Sequence, residues 1–535
     1  MSKALPYAAL LLAAFLAALV AGLTAYGKQM NHYASDFLMR LRGPAPKGDG
    51  RIVIVAIDDD TLRAHGAWPM ERGIVAQALE RICAGKPAVV GIDLLFPEAS
   101  PGDAALERAI RGCPPTVLAA TMVPGKAPEE KEARWQEAVP RLAHAAAATG
   151  HAFADPDEDG MSRQILLEKT ARDTRHWALA LECFRQMAAP PPTILETEDG
   201  LEWGDQRIPA SRRAQRAVLI NYAGDEGWFP TISMEKILAG QVGPQAFAGK
   251  VVLIGITAQG VPDRLFTPLS SSGIPMPGVE IHANLLRTLL ERRFLLPLRD
   301  STILGLELAM AGLMGVVLYF LRGVSLGTSI LALGVGIHAL PYVLLLNGQV
   351  APGFSLAAAF WLPLIVCGTY QYLTVWRRFR AADATGRRLR QQIDFVAHEM
   401  RSPLTTIQGS SELGSRFPLD EKRRQQMFEL IHRESQRLSR MVERFLDVER
   451  LSAGEIELRR EPVDIRAVVE TSAERIRPSA DRKHIAVEAM LDDPGTALGD
   501  AELLEFAVYN LLGKDRKSTR LNSSHIQKSR MPSSA

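Results

Sequence analysis

Only four cysteines occur in 535 residues, too few to staple a chain of this size, so a small disulfide scaffold is excluded. No charge excess of either sign is present. Lys and Arg number 62 against 60 Asp and Glu, a formal net charge of +2, and bulk electrostatics therefore give no reason to expect a nucleic-acid partner. Hydrophobic residues at 47% and charged residues at 23% exclude a largely disordered chain. The length allows about three or four domains of ~150 residues. No Cys-x-x-Cys or Cys/His spacing points to a metal site. Cys83, Cys113 and Cys183 fall in one region and permit at most one bridge there, and Cys367 stands apart.

Charge is also missing locally, and this is more informative. Residues 4–27 are 24 positions without a charge, longer than the ~7–15 residues of a signal-peptide core and enough for the ~20 of a spanning helix. They read as an uncleaved anchor. Residues 301–321 are apolar apart from Glu307, and residues 323–376 run for 54 positions without Asp, Glu, Lys or Arg. One span needs only ~20 residues, so this run holds two, 323–346 and 350–376, with a turn at Asn347-Gly348-Gln349.

Four spans place both chain ends on one side. Arg377, Arg378 and Arg380 follow the last span, and Arg322 lies in the loop between the second and third. The positive-inside rule puts these in the cytoplasm and residues 28–300 outside. Arg292, Arg293 and Arg299 run against the rule. Glu307 is an intramembrane carboxylate, a candidate functional group unless it reaches water at the outer end of its helix.

Within 28–300, apolar strands alternate with helical patterns. Residues 51–57, 88–92, 218–222 and 251–256 are short continuous apolar runs. Residues 71–84 and 279–291 have helical spacing. Continuous apolar strands separated by helices argue for a mostly parallel α/β sheet. Asp58 and Asp93 stand at the carboxyl ends of two strands expected to adjoin. Such an edge is where open α/β sheets bind ligands, but carboxylates there more commonly cap the next helix. His282 reads as a packed residue.

Residues 388–453 form two helical patterns around Phe417-Pro418-Leu419-Asp420. Met427, Ile431, Glu434, Leu438, Met441, Phe445 and Val448 recur in steps of four and three. Leu389, Ile393, Val396, Met400, Pro403 and Ile407 do the same. Narrow seams of this kind bury best against a second copy, giving a four-helix homodimer. His398 lies off the seam. Its imidazole is partly neutral, and so a usable nucleophile, near pH 7. Glu399 is placed to take the proton from the other ring nitrogen as base. Ser402 follows one turn later on the same face.

These residues resemble two known modules. Ile57-Asp58-Asp59, Gly66-x-Trp68-Pro69, Gly91-Ile92-Asp93-x-x-Phe96 and residues 157–163 follow the order of the second type of CHASE domain, an extracellular sensor of bacterial receptors. So do Ile220-Asn221-Tyr222, residues 249–255 and residues 276–284. The stretch from Phe395 to Leu404 resembles the phosphoacceptor motif of sensor histidine kinases. The resemblance implies that His398 autophosphorylates from Mg-ATP and passes the phosphoryl group to an aspartate of a response regulator. It also implies that Ser402 occupies the phosphatase position, where the family usually has Thr or Asn.

Residues 460–514 resemble the start of the ATP-binding domain. Asn510 matches the first Asn of its N box, but Lys514 stands where the Mg²⁺-holding Asn is expected. No later Asp-x-Gly-x-Gly follows, and 25 residues after Asn510 are too few for the rest of the pocket. Residues 515–535 carry six serines and five Lys or Arg and read as a non-native tail.

The expected fold class is a multidomain membrane protein: an α/β extracytoplasmic sensor domain at 28–300, four transmembrane helices and a linker at 377–387. An α-helical dimerisation hairpin and an incomplete α/β ATP-binding domain follow. The expected location is the bacterial inner membrane, with the lipid bilayer, an unknown extracytoplasmic ligand and a response regulator as partners. The leading function is a two-component sensor histidine kinase. The alternatives are a kinase-dead receptor or phosphoacceptor subunit, which the incomplete ATP-binding region favours, and a membrane transport or scaffold protein.

Overall fold

The computed structural model describes residues 4–48, 50–66, 68–123, 133–270, 273–416, 420–453, 460–482, 485–491 and 495–515. The chain divides into two units, Met1–Arg377 and Arg378–Ala535.

The first unit begins with helix α1 (Ala4–Leu23) and helix α2 (Ala25–Arg42). The expected span at 4–27 is thus interrupted. Thr24 has extended backbone and its hydroxyl accepts from the Gly27 amide at 3.0 Å, which caps a new helix. A doubly wound α/β domain follows. Its strands are β1 (Ile52–Ile57), β2 (Val89–Asp93), β3 (Thr116–Val123), β4 (Arg134–Gln136), β5 (Ala148–His151), β6 (Thr231–Ser233) and β7 (Val251–Ile256). Its principal helices are α3 (Asp59–His65), α4 (Arg72–Cys83), α5 (Asp103–Arg111), α6 (Leu179–Gln186) and α7 (Gly278–Glu291).

The sheet order is β6-β1-β7-β2-β3-β4, with β5 also paired to β3. All pairings are parallel except β3 with β4. The reason is visible in the strands themselves. β1 and β7 are buried at every position, as strands covered on both faces must be. Alternate side chains go to opposite layers. Ile52 and Ile54 of β1 pack with α6 and α7, while Val53, Val55 and Ile57 pack with α4 and α5. In α7, Val279, Leu285, Leu286 and Leu289 are all essentially without exposed surface, each contributing about 1.5–3 kcal/mol on burial. Gly255 lets this helix approach, because a Cβ there would lie 2.5 Å from the Cβ of Val279.

Two expectations need correction. The strands ending at Asp58 and Asp93 do not adjoin, since β7 pairs with both β1 and β2 and lies between them. The run at 218–222 does not join the main sheet. Ala217–Leu219 pairs antiparallel with Gln164–Leu166 in a separate ribbon, because only Val218 of its three residues is buried and the run lacks the two-sided burial of a central strand.

Cys83 and Cys113 form a disulfide with Cα atoms 5.2 Å apart, and Cys183 is buried and free. Beyond the domain lie α8 (Asp300–Phe320), α9 (Gly323–Leu346) and α10 (Gly353–Arg416). Four helices among the described residues are long and apolar enough to cross a membrane: Leu5–Leu23, Asp300–Phe320, Gly323–Leu346 and Gly353–Asp383. The last starts later than the expected residue 350, because Gln349–Val350 is drawn into a parallel bridge with Leu296–Pro297. α1 packs on α8, where the Tyr7 hydroxyl donates to the Gly315 carbonyl at 2.7 Å. α2 is tied to α10 by a reciprocal pair, Asn31 Nδ2 to Ser355 Oγ at 2.9 Å and Ser355 N to Asn31 Oδ1 at 3.1 Å.

The second unit takes the rest of α10, then α11 (Glu421–Ala453). After it β8 (Glu461–Asp464) pairs antiparallel with β9 (Thr496–Gly499), against α12 (Ile465–Asp481) and α13 (Ala501–Asp515). Residues 516–535, most of the expected tail, lie outside the described residues.

Candidate functional site

The segment that resembles a phosphoacceptor motif is local. α10 carries His398 and, one turn later, Ser402, both exposed, while Pro403 is buried. Residues four apart share a helix face, so a group reaching His398 also reaches Ser402. Pro403 has no N–H to give to the preceding turn, yet the helix continues through it to Arg416. Glu399 lies in α10 and Asn510 in α13, but the side chains of both lie outside the described residues. On α11 the residues Met427, Ile431, Glu434, Leu438 and Met441 are half-buried, and most of the positions between them are exposed. The heptad stripe is therefore a physical feature of the helix surface.

In the sensor domain the structure separates the two aspartates. Asp58 Oδ1 accepts from the Thr61 amide at 2.9 Å, the Thr61 hydroxyl at 2.6 Å and the Ser233 hydroxyl at 2.9 Å. It is the N-cap of α3 and fastens that helix to β6. Asp93 ends β2 beside Gly255 of β7. It belongs to a group that no local pattern announces: Asp263 after β7, itself exposed, with the buried His282 on α7 and His151 at the end of β5. Gly278 makes room for Asp263, since a Cβ there would lie 2.6 Å from its carboxylate. Burial pushes the Asp93 carboxyl up to about 7. Asp263 is pushed up to about 6 by burial and then by the Asp93 charge, against the pull of His282 and Arg264. His151 falls to about 3 through burial and then through the nearby His282. Burial lowers His282 as well, against the pull of Asp263. Neither ring nitrogen of His282, nor Nε2 of His151, has a regular hydrogen-bond partner. Glu280, on the same helix, accepts from the amides of Gly227 and Trp228 at 2.9 and 3.1 Å, and burial raises it to about 7.

The sign of the resulting pH dependence follows directly. A carboxyl raised to about 7 holds its proton in the folded state when the unfolded chain, near 4, has lost it. Between about pH 4 and pH 7 the folded state binds more protons, so this group lowers stability as pH rises. His151 acts oppositely below about 6.5. Asp93→Asn is expected to gain stability relative to the parent protein as pH goes from 4 to 8. The gain is at most a few kcal/mol, because Asp93 keeps part of its surface in water. Denaturant titrations at the two pH values check this; a parent–variant difference that is the same at both would refute the assignment.

A third constellation joins residues 127 positions apart. The Arg163 guanidinium donates to Asp36 of α2 at 2.8 and 3.0 Å, to Asp157 at 2.8 Å and to Asp159 at 2.6 and 2.9 Å. Arg163 and Asp36 are almost wholly buried. Burial works against the Arg163 charge, and the three carboxylates more than offset it and push its pKa up. The motif around residues 157–163 is legible in the sequence, but its partner Asp36 carries no signal there.

Comparison with known proteins agrees with this arrangement. The family model of the CHASE2 domain matches residues 10–317, and that of the His Kinase A (phospho-acceptor) domain matches residues 388–454. The chain is 35% identical over 133 residues to Drug sensory protein A of Synechocystis sp., covering 24% of this chain and 20% of that protein. It is 32% identical over 107 residues to Sensor histidine kinase YclK of Bacillus subtilis, covering 20% and 23%. With Probable sensor histidine kinase TcrY of Mycobacterium tuberculosis it shares 30% over 131 residues, covering 24% and 27%. The chain thus spans about a fifth to a quarter of the length of these relatives.

Proposed function

We propose, since the chain belongs to the CHASE2-domain sensor histidine kinases, that His398 accepts a phosphoryl group and hands it to an aspartate of a response regulator. The observation that carries this reading is an exposed histidine with Ser402 one turn away, inside the matched phospho-acceptor region. Neutral imidazole attacks the γ-phosphorus of ATP; the P–N bond forms as the bond to the ADP oxygen breaks, and the ring proton leaves from the other nitrogen. Glu399 is assigned to take that proton. The exposure of His398 to solvent suits onward transfer to a second protein.

The homodimer rests on the half-buried stripe of α11, whose apolar edge a second copy would cover. The positive arginines after the last span favour a cytoplasmic hairpin in an inner-membrane protein, with the α/β domain outside. The Cys83–Cys113 disulfide fits an oxidising compartment for that domain. An extracytoplasmic ligand would act through α2 and α10, which meet at Asn31 and Ser355.

The residues for Mg²⁺ do not fit. Lys514 offers an ammonium where the resemblance calls for a ligand, and no group of three or more His, Cys, Asp or Glu among the described residues could hold a metal ion. No step is derived through the metal. ATP is a substrate in this reading. Leu498, Phe506 and Leu511 are exposed on β9 and α13, and with Lys514 at the expected ligand position this favours a second reading in which His398 is phosphorylated by another subunit in trans.

The test is incubation of the full chain with γ-labelled Mg-ATP, alone and with a complete histidine-kinase ATP-binding domain. Acid-labile, base-stable label in the first sample supports the kinase, and label only in the second supports the acceptor subunit. No label in either sinks both.

A further inference from the structure

Arg292 and Arg293 run against the positive-inside rule, and the structure shows where they go. With Arg42 and Arg287 they line a cavity of about 530 Å³ whose opposite wall is the end of α9, Leu345 and Leu346. Among the described residues no Asp or Glu lines it. The cavity sits where the apolar helices end. The bridge from Leu296–Pro297 to Gln349–Val350 closes beside it, and α8 starts three residues later at Asp300.

The four guanidiniums are only partly neutralised. Arg287 pairs with Glu291 at 2.8 Å, and Arg293 reaches the same carboxylate at 3.8 Å. Arg292 pairs with Asp205 at 2.8 Å. Arg42 donates to neutral acceptors, Asn221 Oδ1 at 2.8 Å and the Tyr222 carbonyl at 2.9 Å. Among the described residues, two carboxylates against four guanidiniums leave an excess of two positive charges. Arg287 is only 6% exposed, and its Nε has no hydrogen-bond partner. Burial lowers the Arg42 pKa, and the neighbouring Arg287 charge adds to that effect, so like charges are held together at a cost that an anion would relieve.

We propose that this cavity binds a phosphate-bearing anion at the depth of the lipid headgroups. Guanidinium forks match phosphate oxygens in geometry as well as in charge. The volume exceeds that of a bare phosphate ion and leaves space for a substituent. The phosphate comes either from an anionic lipid of the leaflet on the sensor-domain side or from a soluble phosphorylated solute. Such a ligand would fasten α2, α7 and α9 to one another, which places it on the route between the sensor domain and the spans.

The test uses the full chain in neutral detergent, titrated separately with inorganic phosphate, phosphatidylglycerol and phosphatidylcholine, with the thermal midpoint as readout. Phosphatidylglycerol or phosphate is expected to raise the midpoint and phosphatidylcholine is not. The double variant Arg292→Gln/Arg293→Gln keeps the fold, because these side chains are 49% and 68% exposed. It is expected to raise the half-saturating concentration about tenfold for each guanidinium lost. A response to phosphatidylglycerol alone identifies a lipid, and a response to phosphate without lipid identifies a soluble solute. No shift with either, or the same shift in the double variant, overturns the proposal.

Discussion

Replacing His398 by glutamine is expected to reduce phosphoryl labelling of the chain to background. Glutamine keeps the length and polarity of the side chain but has no nucleophilic nitrogen, so the P–N bond cannot form. His398 is exposed on α10, and the exchange therefore leaves packing untouched and should move the melting midpoint by no more than ~0.5 kcal/mol equivalent. The measurement is acid-labile label on the full chain under whichever of the two incubations labels the parent protein. Ser402→Ala serves as the control, since it removes a hydroxyl on the same face and should leave the phosphorylation step in place. Glu399→Gln is expected to slow labelling by about 10²–10⁴-fold, the range for loss of a positioned base. Full labelling of the His398→Gln chain would place the acceptor elsewhere and end the reading of this helix as a phosphoacceptor.

The second large effect is structural. Arg163→Ala leaves Asp36, Asp157 and Asp159 facing one another around an empty position. Breaking a buried ion pair by deleting one partner costs about 3–5 kcal/mol, because the remaining charge stays buried without compensation. Here three carboxylates lose one common cation, and Asp36 is 1% exposed. The sensor domain of the variant is expected to become protease-sensitive under conditions where the parent domain resists. Asp36→Asn should do less, about 1–3 kcal/mol, since it loses one charge-assisted pair and keeps an acceptor. Arg163→Lys should not restore the parent behaviour, because an ammonium cannot fork to several carboxylates at once. Limited proteolysis of the three full-length variants in membranes reads the order, and parent-like resistance of Arg163→Ala would show that the network carries no stability.

This network includes a residue of α2. Asp36 lies on α2, five residues after Asn31, which is bonded to Ser355 of α10. A disturbance at the Arg163 carboxylates therefore has a short covalent and hydrogen-bonded path to the helix that carries His398. The Arg42 end of the same helix reaches the arginine cavity. α2 is thus the element on which the buried ion network and the cavity both act.

The sequence by itself determined the features that depend on local period and length. Uncharged runs matched against bilayer thickness mark the four helices long and apolar enough to cross a membrane, while the Thr24 cap and the Gln349–Val350 bridge set the end of the first and the start of the last. The strands at 52–57 and 251–256 were legible because a parallel strand covered on both faces must be apolar at every position. The phosphoacceptor motif was legible because His398, Ser402 and Pro403 are neighbours on one helix.

Tertiary structure alone decided what lies between strands and across long gaps. β7 inserts between β1 and β2, which takes Asp58 away from Asp93 and gives Asp93 a new neighbourhood in Asp263 and His282. Strand order reflects which surfaces bury best against each other, and that is a sum over the whole sheet with no periodic trace in the chain. The Arg163–Asp36 pair and the four-arginine cavity have the same origin. Each joins residues more than a hundred positions apart, and a single charged residue in a sequence carries its sign but not the identity of the charge it will face.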